Sequence, residues 1–179
     1  PYAESKVRVE DDVAAIADDS FSPVFLRNAT AFGFSPRLRG DIVVNNLVGH
    51  AVVSGEVRVL SDGTPWRPLV HAKDIAAAFL TALEAPVDKI HCAAFNVGTE
   101  ANNLTVAEIA EAVVGVVPCS QLVITGEAGA DPRSYRVDFS KYREALGFEA
   151  TWSVRDGAAE LYEAYVSFGL TREAFAKTF

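Results

Sequence analysis

The chain has 179 residues, 50% of them hydrophobic and 22% charged, a balance that belongs to a globular protein able to bury a sizeable core. Its formal net charge of −8 argues against a general nucleic-acid binder, because a phosphate backbone needs a basic face, yet it leaves room for a nucleotide-sized ligand held by one or two local cations. No apolar run approaches the roughly 18–20 residues of a membrane span, and the start carries no signal-peptide pattern.

Residues 2–18 read as a helix, with Val7, Val9, Val13 and Ile16 apolar and Glu4, Arg8, Glu10, Asp11 and Asp12 solvated. Tyr2 and Lys6 are four apart and so share one face of it. A phenol beside an ammonium can be tuned toward acid/base work, since the positive charge favours the phenolate. The same spacing also describes a core aromatic next to a solvated charge. Val24-Phe25-Leu26-Arg27-Asn28 is a short apolar run of the buried, parallel-strand kind. The loop 29–36 follows, where open α/β sheets place ligands.

Asp41 is a candidate N-cap for a helix running to about Val53. Residues 56–60 read as a strand, 61–65 as a turn and 66–71 as a second extended piece, followed by an Ala-rich helix over 75–83 that ends before Pro86. Residues 93–97 form another buried strand, closed by Gly98. Thr105 and Glu108 have the spacing of a capping box for a helix ending before Pro118. A strand at 122–125, a loop from Gly126 to Pro132, an extended segment at 133–138 and a helix at 140–146 come next. Ser153 caps a last long helix that ends at Gly169. The alternation is that of an α/β fold, with 24–28 and 94–97 as parallel-sheet members and a smaller mixed lobe beside them. Cys92 and Cys119 form no C-x-x-C and read as two buried thiols of a reducing compartment, which with the start of the chain points to the cytoplasm. His50, His71 and His91 lack metal-ligand spacing, so no metal is expected.

Five stretches, in order, resemble the C-terminal part of the extended short-chain dehydrogenase/reductases, the NAD-dependent sugar-nucleotide epimerase/dehydratase family. They are Tyr2-Ala3-Glu4-Ser5-Lys6 for Tyr-x-x-x-Lys, Leu26-Arg27 through Gly33, and Gly63 through Ala76 with Arg67 and Asp74. Phe95-Asn96-Val97-Gly98 and Asp138-Phe139-Ser140-Lys141 with Leu146-Gly147-Phe148 complete the set. The resemblance spans essentially all 179 residues. It implies the C-terminal part of a Rossmann-like parallel sheet with a smaller mixed α/β substrate-binding lobe, interleaved from about residue 34 onward. With no methionine, an opening Pro1 and no G-x-G-x-x-G, the chain is expected to lack the family's glycine-rich dinucleotide-binding portion.

The resemblance implies an NAD(P)-dependent epimerase or dehydratase acting on a nucleotide-activated sugar, NAD being favoured and bound mainly through that other portion. Tyr2 would be the acid/base and Lys6 its partner, both also touching the cofactor along with Asn28 and Ala29. Thr30, Asn45, Asn46, Arg67 and Arg133 would contact substrate, the two arginines on the diphosphate, whose oxygens suit a guanidinium fork. Asn96 is expected to fix a strand end instead. Three positions depart from the family pattern: Thr30 stands for a usual Asn, Phe34 for a Pro and Pro68 for an Asp. The alternatives are a sugar-nucleotide reductase, or a non-catalytic dinucleotide or sugar-nucleotide sensor, against which the intact Tyr2 and Lys6 argue. Relatives commonly form homodimers through the Tyr/Lys helix, and the Ala/Val-rich face of 3–17 suits either that or the rest of the sheet.

Overall fold

The computed structural model describes residues 1–127 and 133–177. Its elements follow the α/β alternation. Helix α1 (Tyr2–Ala15) leads to strands β1 (Val24–Asn28) and β2 (Thr30–Phe32), then helix α2 (Val43–Ser54) and strands β3 (Glu56–Val59) and β4 (Trp66–His71). Helices α3 (Ala72–Glu84) and α4 (Val87–Ile90), strands β5 (Ala93–Val97) and β6 (Asn103–Thr105), helix α5 (Val106–Val114) and strand β7 (Gln121–Ile124) come next. Helices α6 (Ser140–Leu146), α7 (Val154–Ser167) and α8 (Arg172–Ala176) complete the described chain.

Three strand groups carry the architecture. β1 and β5 pair in parallel with Val24 opposite Ala93 and Asn28 opposite Val97, as the two apolar runs imply. β4 pairs in parallel with β2 and antiparallel with β6, and β3 pairs in parallel with β7. Because side chains alternate along a strand, Leu69 of β4 enters one core and Val70 the other. The first core lies among α2, α5 and α7 and contains Val44, Val48, Ile109, Ala158 and Leu161. The second lies against β1 and β5 and is built on Phe95, Tyr142 and Phe148, whose rings contact at 4.7 and 4.8 Å between centroids. Tyr142 donates its hydroxyl to the Ala78 carbonyl at 2.6 Å, which lets a phenol sit in an apolar core.

Several local expectations are corrected. Asp41 does not cap α2; Ile42 is the N-cap residue, and the Asp41 carboxylate is taken by the Arg39 guanidinium. Residues 30–32 are a strand rather than loop because β4 offers them a ladder, and β6 likewise exists by pairing with β4. Helix α1 stops at Ala15 and buries none of its residues. The cysteines are not buried: Cys92 is half-buried and Cys119 exposed, both at positive φ in connecting turns. Residues 133–138 form no regular strand, yet Asn103 holds them with Nδ2 to the Val137 carbonyl at 2.9 Å and Oδ1 from its N–H at 3.0 Å. The loop expected at 126–132 lies largely outside the described residues. The capping boxes at Thr105/Glu108 and Ser153/Asp156 both form. Among the described residues no helix is long and apolar enough to cross a membrane.

Asp74 joins the end of α6's connection to α3. Its carboxylate, 4% exposed, accepts from the Thr151 N–H at 3.0 Å and the Trp152 N–H at 3.1 Å. Asp74→Ala leaves both amides without that acceptor and is expected to lower the unfolding free energy by about 2–4 kcal/mol, measured by urea titration.

Candidate active site

Tyr2 and Lys6 project from the first turns of α1, with Lys6 Nζ 5.6 Å from the Tyr2 ring centroid. Tyr2 is 78% exposed. α1 is held against the sheet by a fork-to-carboxylate pair, in which Arg27 of β1 donates Nε to Glu10 Oε1 at 2.9 Å and Nη2 to Oε2. Between α1, β1 and α3 lies an open cavity of about 690 Å³ lined by Tyr2, Lys6, Glu10, Asn28 and Phe79. The structure therefore gathers Tyr2, Lys6 and Asn28 around one space. Ala29 follows at the strand end, its N–H bonded to the Val97 carbonyl at 3.0 Å, and Thr30 is half-buried opposite Leu69 in the β2–β4 ladder.

Arg67 and Arg133 also meet. The Arg67 Nη1 donates to the Trp66 carbonyl at 2.8 Å and to the Arg133 carbonyl, while the Trp66 N–H donates to Ser134 Oγ at 3.0 Å. The Arg136 guanidinium lies 4.7 Å from the Trp66 ring centroid. The result is a basic, aromatic edge at the start of β4, chemistry suited to a phosphate and a flat ring.

The asparagines separate in role. Asn45 is buried, and its amide is committed to backbone: Oδ1 accepts from the Gly33 N–H at 3.0 Å, and Nδ2 donates to the Gly33 and Arg39 carbonyls at 3.4 and 3.0 Å. The Tyr165 hydroxyl, pushed up to about 12 by burial, stays protonated and donates to the Asn45 carbonyl at 3.2 Å. Asn46 donates to the Gly40 carbonyl at 3.1 Å and borders a second cavity, of about 630 Å³, with His50, Arg58 and Phe175. Asn96 fixes a strand end as expected, through Nδ2 to the Asp138 carbonyl at 3.0 Å.

One polar cluster was not legible in advance. His71, at the end of β4, has no exposed surface; its Nδ1 accepts the Lys73 N–H at 3.2 Å and caps α3. With Nδ1 accepting, the proton must sit on Nε2, which contacts Glu160 Oε2 at 2.9 Å. Trp152 stacks on the imidazole at 4.3 Å between centroids, and Lys73 Nζ lies 4.2 Å from the Trp152 ring centroid. Glycines make the space: a Cβ on Gly33, which has φ +100°, would come within 2.1 Å of His71 Nε2, and one on Gly157 within 2.4 Å of Phe32. The only sequence signal was a His among buried β4 residues, since Glu160 lies 89 positions away.

The sequence model of the NAD dependent epimerase/dehydratase family matches residues 1–98. The chain belongs to that family. It is 34% identical over 113 residues to a protein described as putative GDP-L-fucose synthase 2 of Oryza sativa subsp. japonica, covering 63% of this chain and 31% of that protein. It is 28% identical over 127 residues to UDP-glucuronic acid decarboxylase 1 of Arabidopsis thaliana, covering 69% and 28%. Among solved structures, MoeE5 in complex with UDP-glucuronic acid and NAD superposes with a TM-score of 0.65 at 28% identity, over 88% of this chain and 51% of that one. The chain thus spans about a third of the length of the curated relatives named here, and the Rossmann-like α/β fold expected of the family is the one found.

Burial pushes the His71 imidazole down, and the opposing pulls of Glu160 and Asp74 do not reverse this; the Lys73 charge adds to it. His50 is pushed down by burial as well. A folded-state value below the ordinary one means the unfolded chain binds more protons as the medium acidifies. This contribution is complete above the ordinary imidazole value of about 6.5 and is lost as pH falls below it. The urea midpoint is expected to drop between pH 7.5 and about 5.5, and imidazole ¹⁵N spectra at pH 7.5 should show His71 neutral with its proton on Nε2.

Proposed function

We propose that this chain carries the acid/base pair and the substrate side of an NAD(P)-dependent epimerase or dehydratase acting on a nucleotide-activated sugar. The observation that carries the reading is the convergence of Tyr2, Lys6 and Asn28 on one cavity at the end of β1, in a chain of this family. NAD is supported by the NAD-bound MoeE5 structure, and a sugar nucleotide by its bound UDP-glucuronic acid. The cofactor supplies hydride acceptance and return at a sugar carbon. The chain's own groups handle the proton and the geometry. Tyr2 takes the hydroxyl proton from the sugar on its phenolate oxygen and gives it back; the Lys6 ammonium stabilises the phenolate and, with Asn28 and Ala29, borders the nicotinamide side. Arg67 and Arg133 take the diphosphate, and Thr30 and Asn46 lie on the sugar and nucleotide sides. Asn45, fully engaged with Gly33 and Arg39, contributes by holding the substrate-side loop.

The two cores supply the division of labour: the one against β1 and β5 supports the acid/base end, and the one among α2, α5 and α7 supports the substrate lobe from about residue 34 onward. We place the protein in the cytoplasm as a homodimer, with the exposed Val7, Val9 and Ile16 of α1 as the apolar surface a second copy would cover.

Turnover of UDP-, dTDP-, GDP- and CDP-hexoses by the full-length protein, which joins this chain to the family's dinucleotide-binding portion, followed by NMR with NAD, tests the assignment; the 179-residue chain by itself is expected to be inactive. Tyr2→Phe should lower kcat by a factor of about 10²–10⁴ with sugar-nucleotide affinity unchanged; retained activity removes Tyr2 from the acid/base role. Arg67→Ala should weaken nucleoside-diphosphate binding by roughly 1–3 kcal/mol by calorimetry, the scale of a charged hydrogen bond.

A further inference from the structure

Tyr2, Lys6 and Glu10 stand at successive four-residue steps on one face of α1, and all three line the cavity between α1, β1 and α3. Arg27 enters the same cavity from β1, while α3 faces it only with the uncharged Phe79, Ala82 and Leu83. The Lys6 ammonium thus has two neighbours one turn away, a phenol before it and a carboxylate after it. Side chains four apart on a helix have Cβ atoms about 5–6 Å apart, so Lys6 can reach either. A free carboxylate carries a full charge and would draw the ammonium away from a neutral phenol.

Arg27 removes that competitor from outside the helix. It donates Nε to Glu10 Oε1 at 2.9 Å and to Oε2 at 3.2 Å, and Nη2 to Oε2, with the Glu10 side chain 26% exposed. The Arg27 bond is the main reason the Glu10 carboxyl lies below its ordinary value, against a smaller effect of burial. Lys6 Nζ instead lies 5.6 Å from the Tyr2 ring centroid, and among the described residues no salt bridge joins it to Glu10. The other charges around the start of α1 are matched as well: Glu4 pairs with Arg8 at 2.6 Å, and Arg39, whose charge also bears on Tyr2, is held by Asp41.

We propose that Arg27 is a positioning residue for the acid/base pair: by taking the Glu10 carboxylate from β1, it keeps the Lys6 ammonium for Tyr2. This rests on the roles proposed above for Tyr2 and Lys6. Arg27→Gln frees Glu10 to capture Lys6 and leaves an unmatched negative charge in the cavity, and both changes oppose phenolate formation.

Two measurements on the full-length protein test this. In the first, the Lys6 Cε–Nζ NMR signals are followed from pH 6.5 to about 3.5, the range spanning the ordinary Glu value of about 4.3. In Arg27→Gln the Lys6 signals are expected to move with the Glu10 carboxyl titration, and in the wild type and in Arg27→Gln/Glu10→Gln to stay in place. In the second, the pH dependence of kcat/KM is measured with whichever UDP-, dTDP-, GDP- or CDP-hexose turns over. Arg27→Gln is expected to move the limb that rises with pH upward by about one unit, which lowers kcat/KM about tenfold below the limb. Adding Glu10→Gln should bring the limb back. Glu10→Gln alone breaks the same bond between α1 and β1, yet its limb is expected at or below the wild-type position; this variant serves if Arg27→Gln does not fold. A limb that rises in Glu10→Gln, or one that Glu10→Gln does not restore in Arg27→Gln, makes the pair a structural tie only and overturns the proposal. Lys6 signals indifferent to Glu10 in Arg27→Gln overturn it too. A wild type that turns over none of the hexoses overturns the proposed function, and the Lys6 signals then decide by themselves whether Arg27 keeps Glu10 from Lys6.

Discussion

The fold turns on a neutral imidazole with no exposed surface at the end of β4. His71 caps α3 with one ring nitrogen and reaches Glu160 of α7 with the other, while Trp152 covers its face. Each contact brings in a different part of the chain: the first turn of α3, the body of α7, and the connection that precedes α7. The ring fits because Gly33 and Gly157 carry no Cβ where it packs. A protonated imidazole would set an N–H against the Lys73 amide, so burial and capping agree on the uncharged form.

β4 distributes this constraint. Its neighbours run parallel on one side and antiparallel on the other, and consecutive residues Leu69 and Val70 feed two different cores. Arg67 at its start and His71 at its end therefore stand at opposite ends of one rigid six-residue strand. A site built on a strand is held more closely than one built on loops. The segment carrying Arg133 is irregular but gains definition from Asn103, which answers both the N–H and the carbonyl of Val137.

α1 is built differently. It buries none of its residues and is joined to β1 through the Glu10–Arg27 pair, in which the guanidinium holds the carboxyl below its usual range. Both partners retain solvent access, so screening limits what the pair contributes to stability. Its geometric effect is clear: it sets α1 over the end of β1, where Tyr2, Lys6 and Asn28 share a cavity.

Local patterning determined much of this protein. The two capping boxes and the Tyr2–Lys6 spacing are short-range features realised because their partners lie within a few residues, and the apolar runs at 24–28 and 93–97 pair in parallel as expected, although 24–28 is at most half-buried rather than buried. Tertiary structure alone decided the rest. Residues 30–32 and 103–105 are strands only because β4 lies beside them, and Asp41 leaves its capping role because Arg39 competes for the carboxylate. Asn45 is a brace inside the fold because Gly33 and Arg39 come within reach of its amide. The meeting of His71, Lys73 and Phe34 on Glu160 joins residues 87 to 126 positions apart, and no periodicity encodes a contact at that range.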